Sequence, residues 1–446
     1  LLQSMEAGRS GDFKESALGY YYQYLLTEAF QNSGVKPDKL TELFQYSAYL
    51  AWEFHHQGKR ELSESDLRGF NERFTKEWHT VAFELRLEVL LNARVLCKVG
   101  EDYAFRYPYI YYYLKGQYLS ENLSDLTVRA YIGHCCQHLY VRDHANTVLF
   151  LAHHTNDDFV LQSIADALHN LFRGRNPVKF DGDTAAINML IQDAPKLTYS
   201  GGKPTEHRAR RNELEDRLDD GHDGLLEAEE EADELSLIAQ MTMLFKTTEI
   251  LGQVLKNQYS KIQRTRKSAL LEDLFNGPLR AIRDFYEFFE KNPDALAAEI
   301  EAALQRKGKI ESAEERRAIA RKVAASLIQI ITFSFLMRAS QSVNSESLLE
   351  DIKGVVKKAN TPAFKIIELG IQLDSPRAIP RQGLKQLFLE VKKDLVASRV
   401  IQMMVLNRLY MFRTSEQDMQ WLSQEVGIDL MTQHAITYQE KKGRLN

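Results

Sequence analysis

The chain has 446 residues, enough for two or three domains with buried cores. A hydrophobic share of 44% and a charged share of 27% exclude a low-complexity or largely disordered chain. A net charge of -5 excludes a dominantly basic surface of the kind that coats nucleic acid, and three cysteines, two of them adjacent at Cys135 and Cys136, exclude a disulfide framework and a CxxC metal site. A reducing, cytoplasmic setting is expected.

Residues 1–12 read as disordered or linker, and Leu1-Leu2-Gln3, without an initiator Met, reads as a start inside a longer polypeptide. A helix is predicted over Phe13–Ala29 and stopped at Ser33-Gly34. A second follows Pro37-Asp38, with Leu40, Leu43, Phe44, Ala48 and Ala51 on one face. Ser63 and Asp66 have capping-box spacing, and the helix they open carries Leu67, Phe70 and Phe74 on one stripe. Another helix is predicted over Val81–Asn92. Arg94 to Leu119 then reads as a β-hairpin, Val95–Val99 and Tyr103–Tyr107 around Gly100-Glu101-Asp102, running into an aromatic helix over Tyr107–Leu123. Helices followed by one β-ribbon, in this order, predict a winged-helix-like domain over 13–107.

The helix before the ribbon stands where DNA-binding members carry a recognition helix, and here it holds Glu84, Arg86 and Glu88. Mixed charge on that face suits an internal joint better than a phosphate reader. The aromatic helix reads as core and inter-helix contact, because a base-stacking platform needs interleaved cations and only Lys115 is present.

A helical domain is expected over 108–195, and it holds most of the histidines. His134 and His138 lie four apart and share a helix face, with Asp157 and Asp158 as nearby oxygen donors, so they are candidates for a metal site that lacks the HExxH carboxylate. Arg129 and His134 also match the R-x4-H spacing of HEPN ribonucleases. The competing reading is polar residues at turns between helical repeats.

A helix is predicted over Asp181–Ala194. Residues 196–234 then form a charged linker or insert, basic first and acidic after, in which Ser200-Gly201-Gly202-Lys203-Pro204 lacks phosphate-loop spacing. A C-terminal helical sensor or coupling domain is expected over 235–446. Its predicted helices are Leu235–Lys256, Lys267–Phe275, Pro278–Glu290, Asp294–Gln305, Ala313–Met337, Ser345–Lys358, Pro362–Leu373, Gly383–Phe412 and Glu416–Val426, followed by a polar tail. The most apolar run, Ala324–Met337, falls short of the about 20 residues that span a bilayer and reads as a buried helix. The fold class expected is mainly α, a winged-helix unit with one β-hairpin followed by irregular helical-repeat bundles.

Three stretches carry a resemblance: YAFRYPYIYYYLKGQYLSENL from Tyr103, LYVRDHANTVLFLAHHTNDDFVLQSI from Leu139, and KTTEILGQVLKNQYSKIQRTRKSALLEDLFNGPLRAI from Lys246. They resemble the regions that follow the ATPase module in bacterial STAND NTPases, relatives of NACHT and NLR proteins, many of them antiphage defence factors. In that family the segment opening the helix after the wing often reads Phe-Arg-His; here it is Phe105-Arg106-Tyr107.

The resemblance implies a regulatory, trigger-sensing region that couples recognition to nucleotide-dependent oligomerisation and activation of an N-terminal effector. Phe105, Arg106, Tyr107 and Tyr111 become the joint or switch candidates. It also implies ATP and Mg on a nucleotide module N-terminal to Leu1, since neither Walker motif is found in this chain, and hence no cofactor or catalytic motif within it. The expected partners are other copies of the chain on activation and a phage protein or nucleic-acid trigger, with no membrane. The alternatives are a HEPN-like ribonuclease using Arg129 and His134, a metal-dependent hydrolase using His134, His138 and Asp157, and a winged-helix nucleic-acid-binding protein.

Overall fold

A computed structural model describes residues 18–213, 236–307 and 312–430, with side chains from 21 onward. The expectations for residues 1–12, for the acidic tract 214–234 and for the polar tail after 430 lie outside these residues. The protein is mainly α and divides into two units, Lys14–Ala167 and the chain from Leu168 onward.

The first unit begins with α1 (Leu18–Asn32), a 3-10 turn (Pro37–Lys39) and α2 (Leu40–His56). A two-residue strand β1 (Glu61–Leu62) precedes α3 (Glu64–Glu77) and α4 (Phe83–Asn92); β2 (Leu96–Val99) and β3 (Asp102–Phe105) follow. Ser63 starts α3 as its spacing predicts: its hydroxyl accepts from Asp66 N at 3.1 Å, and the Asp66 carboxylate accepts from Ser63 N at 3.1 Å. The strands form one antiparallel sheet in the order β1-β3-β2, with Leu62 opposite Tyr103 and Leu96 opposite Phe105.

Sequence reading misses β1 because two residues carry no periodicity. It also places the hairpin turn one residue too long. Asp102 pairs with Val99, which leaves Gly100-Glu101 as a two-residue turn with Gly100 at φ 62, the positive φ that a tight hairpin asks of its first central residue.

The aromatic helix α5 (Pro108–Glu121) follows at once, with Pro108 at its first position, and then α6 (Leu126–Gln137), α7 (Arg142–His154) and α8 (Asp158–Asn170). Helix α5 packs against α2 and α7. Its Ile110, Tyr113 and Leu114 share one buried core with Phe30, Phe54, Leu90 and Val95, so the expected boundary at 107 falls inside this unit. Gly116 lets α5 and α7 meet: a Cβ there would lie 2.8 Å from Leu151 N and from the Phe150 carbonyl carbon.

The second unit contains α9 (Ala185–Leu190), β4 (Thr198–Tyr199), a helical stretch at 204–213, α10 (Leu237–Asn257), α11 (Arg264–Lys291), α12 (Ala295–Lys307) and α13 (Ala313–Ser342). After a 3-10 turn (Glu346–Leu348) come α14 (Leu349–Ala359), α15 (Pro362–Leu373), α16 (Arg381–Glu390), α17 (Leu395–Met411), α18 (Glu416–Val426) and β5 (Asp429–Leu430). Helix α13 is the centre, with α10, α11, α12, α15 and α17 packed on it. At 30 residues it is long and apolar enough to cross a membrane by length and composition, but 56% of its most apolar window is buried inside the fold. Close approach is permitted by glycines: a Cβ on Gly252 would collide with the Ser342 carbonyl, and one on Gly370 with the Ser340 hydroxyl.

Several predicted bounds are corrected here. The two helices expected on either side of Pro278 are one, α11, because Leu274, Phe275, Leu279 and Ile282 are all fully buried and carry the helix past the single backbone bond that proline removes. Conversely, the helix expected over 383–412 is two. Asp394 ends the first connection and caps α17 by accepting from Ala397 N at 3.0 Å. The helix expected over 181–194 shrinks to α9, since Asp183 instead accepts the backbone N–H groups of Lys179 and Phe180, both at 2.9 Å. The basic start of the charged tract is ordered: β4 pairs in parallel with β5, and Arg208 donates to Met411 O at 2.8 Å.

Candidate functional site

The segment holding the joint candidates is formed where β3 runs directly into α5. Arg106 N donates to Val95 O at 2.9 Å, extending the hairpin by one bond, and Tyr107 takes the N-cap position of α5 in extended geometry. Of the four joint candidates, two turn inward. Phe105 meets Phe54 edge-on at 5.0 Å and Tyr111 at 5.4 Å between ring centroids. Arg106 and Tyr107 turn outward together: Arg106 Nε donates to the Tyr107 hydroxyl at 3.3 Å, and the Tyr107 ring stacks on Tyr109 at 5.3 Å. The segment therefore has an apolar anchor and an exposed polar edge.

One turn below Tyr111 lies the residue that sequence reading treats only as a lone base. Lys115 is 0% exposed. Its ammonium donates to Asp143 Oδ2 at 3.0 Å and to the Tyr131 hydroxyl at 3.2 Å, and sits 5.0 Å, 5.4 Å and 5.7 Å from the rings of Tyr111, Tyr112 and Tyr131. Helices α5, α6 and α7 are thus tied at one charge. Burial pulls the lysine below its ordinary value against the opposing pull of Asp143. Burial acts to raise the Asp143 carboxyl, but the ammonium beside it and the Tyr112 hydroxyl hold it below the usual carboxylate range. The local signal was the spacing of Tyr111, Tyr112 and Lys115, three and four residues apart on one helix face; the partner on α7 had none.

The enzyme candidates are dispersed. Arg129 turns toward Asp157, with Nη2 to Oδ1 at 4.0 Å, and covers the Phe159 ring at 4.5 Å. Asp157 also accepts from Phe159 N at 2.8 Å at the start of α8. His134 lies against His138 at 4.2 Å with the rings tilted by 34° and meets His144 at 5.1 Å, while His138 Nδ1 donates to His134 O at 2.8 Å. Arg129 and His134, five residues apart on α6, lie about 140° apart around the axis. Among the described residues, no group of three or more His, Cys, Asp and Glu is placed to hold a metal ion; His134, His138 and Asp157 do not form one.

The face that would read a groove is acidic. A shallow depression of about 290 Å³ lies between α3 and α4, with Glu64, Glu84 and Glu88 at its edge. Its one arginine, Arg68, is bound to Glu64 at 2.7 Å and Glu84 at 2.9 Å. Phosphates would meet carboxylates there.

No curated protein and no solved structure matches the chain. Residues 60–114 match the family model described as Novel STAND NTPase 4. This stretch runs from the strand β1 through the hairpin to Leu114, the residue before the buried lysine, and the match supports a STAND-type NTPase region there.

Proposed function

We propose that the chain is the regulatory, trigger-sensing region of a STAND-type NTPase in bacterial antiphage defence. The first unit acts as a winged-helix joint, and the helices beyond about 235 act as the sensing or coupling body. The observation that carries this reading is the family match over 60–114, which spans the sheet, helices α3 and α4 and the segment Phe105 to Tyr111. ATP and Mg are held by the nucleotide module of the same protein, and a phage protein or nucleic acid is the trigger. Binding of the trigger favours one of two arrangements about the joint, and the cytoplasmic protein then assembles with copies of itself and activates an effector. A ligand shifts such an equilibrium only by its preference for one arrangement.

The test is the mass of the native-length protein in solution by light scattering, with and without ATP, Mg and a phage-infected lysate. A discrete higher oligomer that needs nucleotide and trigger together, and that Arg106→Ala weakens, supports the switch. One unchanged mass under all conditions rejects it.

A further inference from the structure

Away from the segment Phe105 to Tyr111, the face formed by α2, the end of α3 and α5 carries a continuous run of partly exposed aromatic rings. Trp78 is 46% exposed, and Tyr49, Tyr118 and Trp52 are half-buried. Trp78 meets Tyr49 at 5.3 Å and Tyr49 meets Tyr118 at 4.8 Å; Tyr118 stacks on Trp52 at 4.8 Å with their planes 12° apart. Such a run offers π-faces to a flat ring or to a cation, and the charge around it decides between them.

That charge is negative. Burial first, then Glu121 and Glu77, hold the Tyr49 phenol above its ordinary value; burial, Tyr49, Asp125 and Glu77 push that of Tyr118 up to about 12. Glu77, Glu121 and Asp125 are all exposed. The nearby Arg73 is taken up by Glu53 at 2.7 Å. A nucleic-acid strand stacking its bases here would bring phosphates against these carboxylates. A guanidinium is planar and weakly hydrated, stacks on Trp and Tyr, and is attracted by the same carboxylates.

We propose that Trp78, Tyr49, Tyr118 and Trp52, together with the exposed carboxylates Glu77, Glu121 and Asp125, form a docking strip for an arginine-bearing segment of a partner protein. This rests on the strip alone and holds whether or not the chain serves a STAND switch.

The test is a tryptophan-fluorescence titration of the chain carrying Trp421→Phe, so that Trp52 and Trp78 are the reporters, with a short peptide alternating arginine and serine. Saturable quenching is expected, weakened by added salt and by about tenfold, or about 1.4 kcal/mol, in Tyr118→Ala and in the charge reversal Glu77→Lys/Glu121→Lys. The reversal replaces exposed side chains, so the thermal melt should stay in place. Failure of the arginine peptide to saturate overturns the proposal. So does equal affinity for the lysine–serine peptide, the glutamate–serine peptide or an oligothymidylate, or an affinity indifferent to the charge reversal.

Discussion

Lys115 Nζ lies 3.0 Å from Asp143 Oδ2, yet the two side chains differ in access to water: the lysine is 0% exposed and the aspartate 38%. The pair is therefore asymmetric. Removing the lysine leaves a carboxylate that water can reach, whereas removing the carboxylate leaves an ammonium sealed among aromatic rings. Lys115→Met should cost about 1–2 kcal/mol and Asp143→Asn about 3–4 kcal/mol, the usual range for a broken buried pair. The double variant should fall near Lys115→Met, since the stranded charge is gone. Urea unfolding of the three variants checks this, and equal costs for the two single changes would refute the asymmetry.

Gly116, the next residue, is where α5 touches α7, and the atoms a Cβ would meet are backbone: Leu151 N and the Phe150 carbonyl carbon, both at 2.8 Å. Backbone cannot turn aside as a side-chain tip can. In an exposed helix Gly→Ala would stabilise by up to about 1 kcal/mol; here Gly116→Ala should destabilise by about 2–3 kcal/mol as the helices separate. A thermal melt of the variant decides the sign. Gly69→Ala, where the nearest atom is the Arg73 guanidinium tip at 3.6 Å, serves as the control and should be neutral or stabilising.

What could be read from the sequence tracks how local the signal is. Helices α15 and α18 were predicted to the residue. Thr361 caps the first ahead of Pro362, Ser415 caps the second, and Gly427 closes it at φ 71, all within one turn of the ends. The break at Asp394 is equally local but was hidden by apolar residues continuing at helical spacing on both sides; it becomes plain only with Thr184, 210 residues earlier, donating to its carboxylate. The parallel pair β4 and β5 joins residues more than two hundred positions apart and leaves no local trace.

The same rule governs the candidate site. The hairpin and the aromatic helix stand out in composition, whereas the joint candidates Phe105, Arg106, Tyr107 and Tyr111 come from the family resemblance. The Lys115 partner lies 28 positions away on another helix, so a lysine that reads only as the one cation of an aromatic helix is in fact the buried tie of three helices. Periodicity reports which face is apolar, and one charge within that face looks like noise until its counter-ion is in view.

Acid should weaken the first unit well before its carboxylates are protonated. Burial holds the imidazoles of His55, His153 and His154 neutral, each with its value lowered from 6.5 to about 4. For His154, Nε2 donates to Tyr113 O at 2.9 Å, a bond the neutral ring makes. The unfolded chain binds protons at these positions below about pH 6.5 and the folded chain does not until near pH 4. Stability is thus fully present above pH 6.5 and is lost as pH falls toward 4, by about 2 kcal/mol per histidine between pH 7 and 5. His154→Gln, whose amide can keep the bond to Tyr113 O, should flatten that slope. A stability unchanged between pH 7 and 5 in the parent chain would count against buried neutral histidines.

The end of α4 offers a gain. Arg94 sits at φ 57, a left-handed conformation that an arginine adopts at a cost, and it does so to close a Schellman motif: Arg94 N donates to Leu91 O at 3.0 Å and Val95 N to Leu90 O at 3.0 Å. The side chain is exposed and no bond of its guanidinium holds it there among the described contacts. Glycine takes the same geometry without the Cβ conflict, so Arg94→Gly should raise the stability of the first unit by about 0.5–1 kcal/mol, less the extra freedom glycine gives the unfolded chain. Arg94→Val should lower it by more than that, because a β-branched residue is excluded from this region. Since Val95 leads straight into β2, any variant that loosens this turn should also speed hydrogen exchange at Arg106 N, whose bond to Val95 O at 2.9 Å ties the hairpin to the start of the aromatic helix. Exchange at that amide, slowed or unchanged in Arg94→Gly and faster in Arg94→Val, would show that the end of α4 and the start of α5 share one set of contacts; identical exchange in both would separate them.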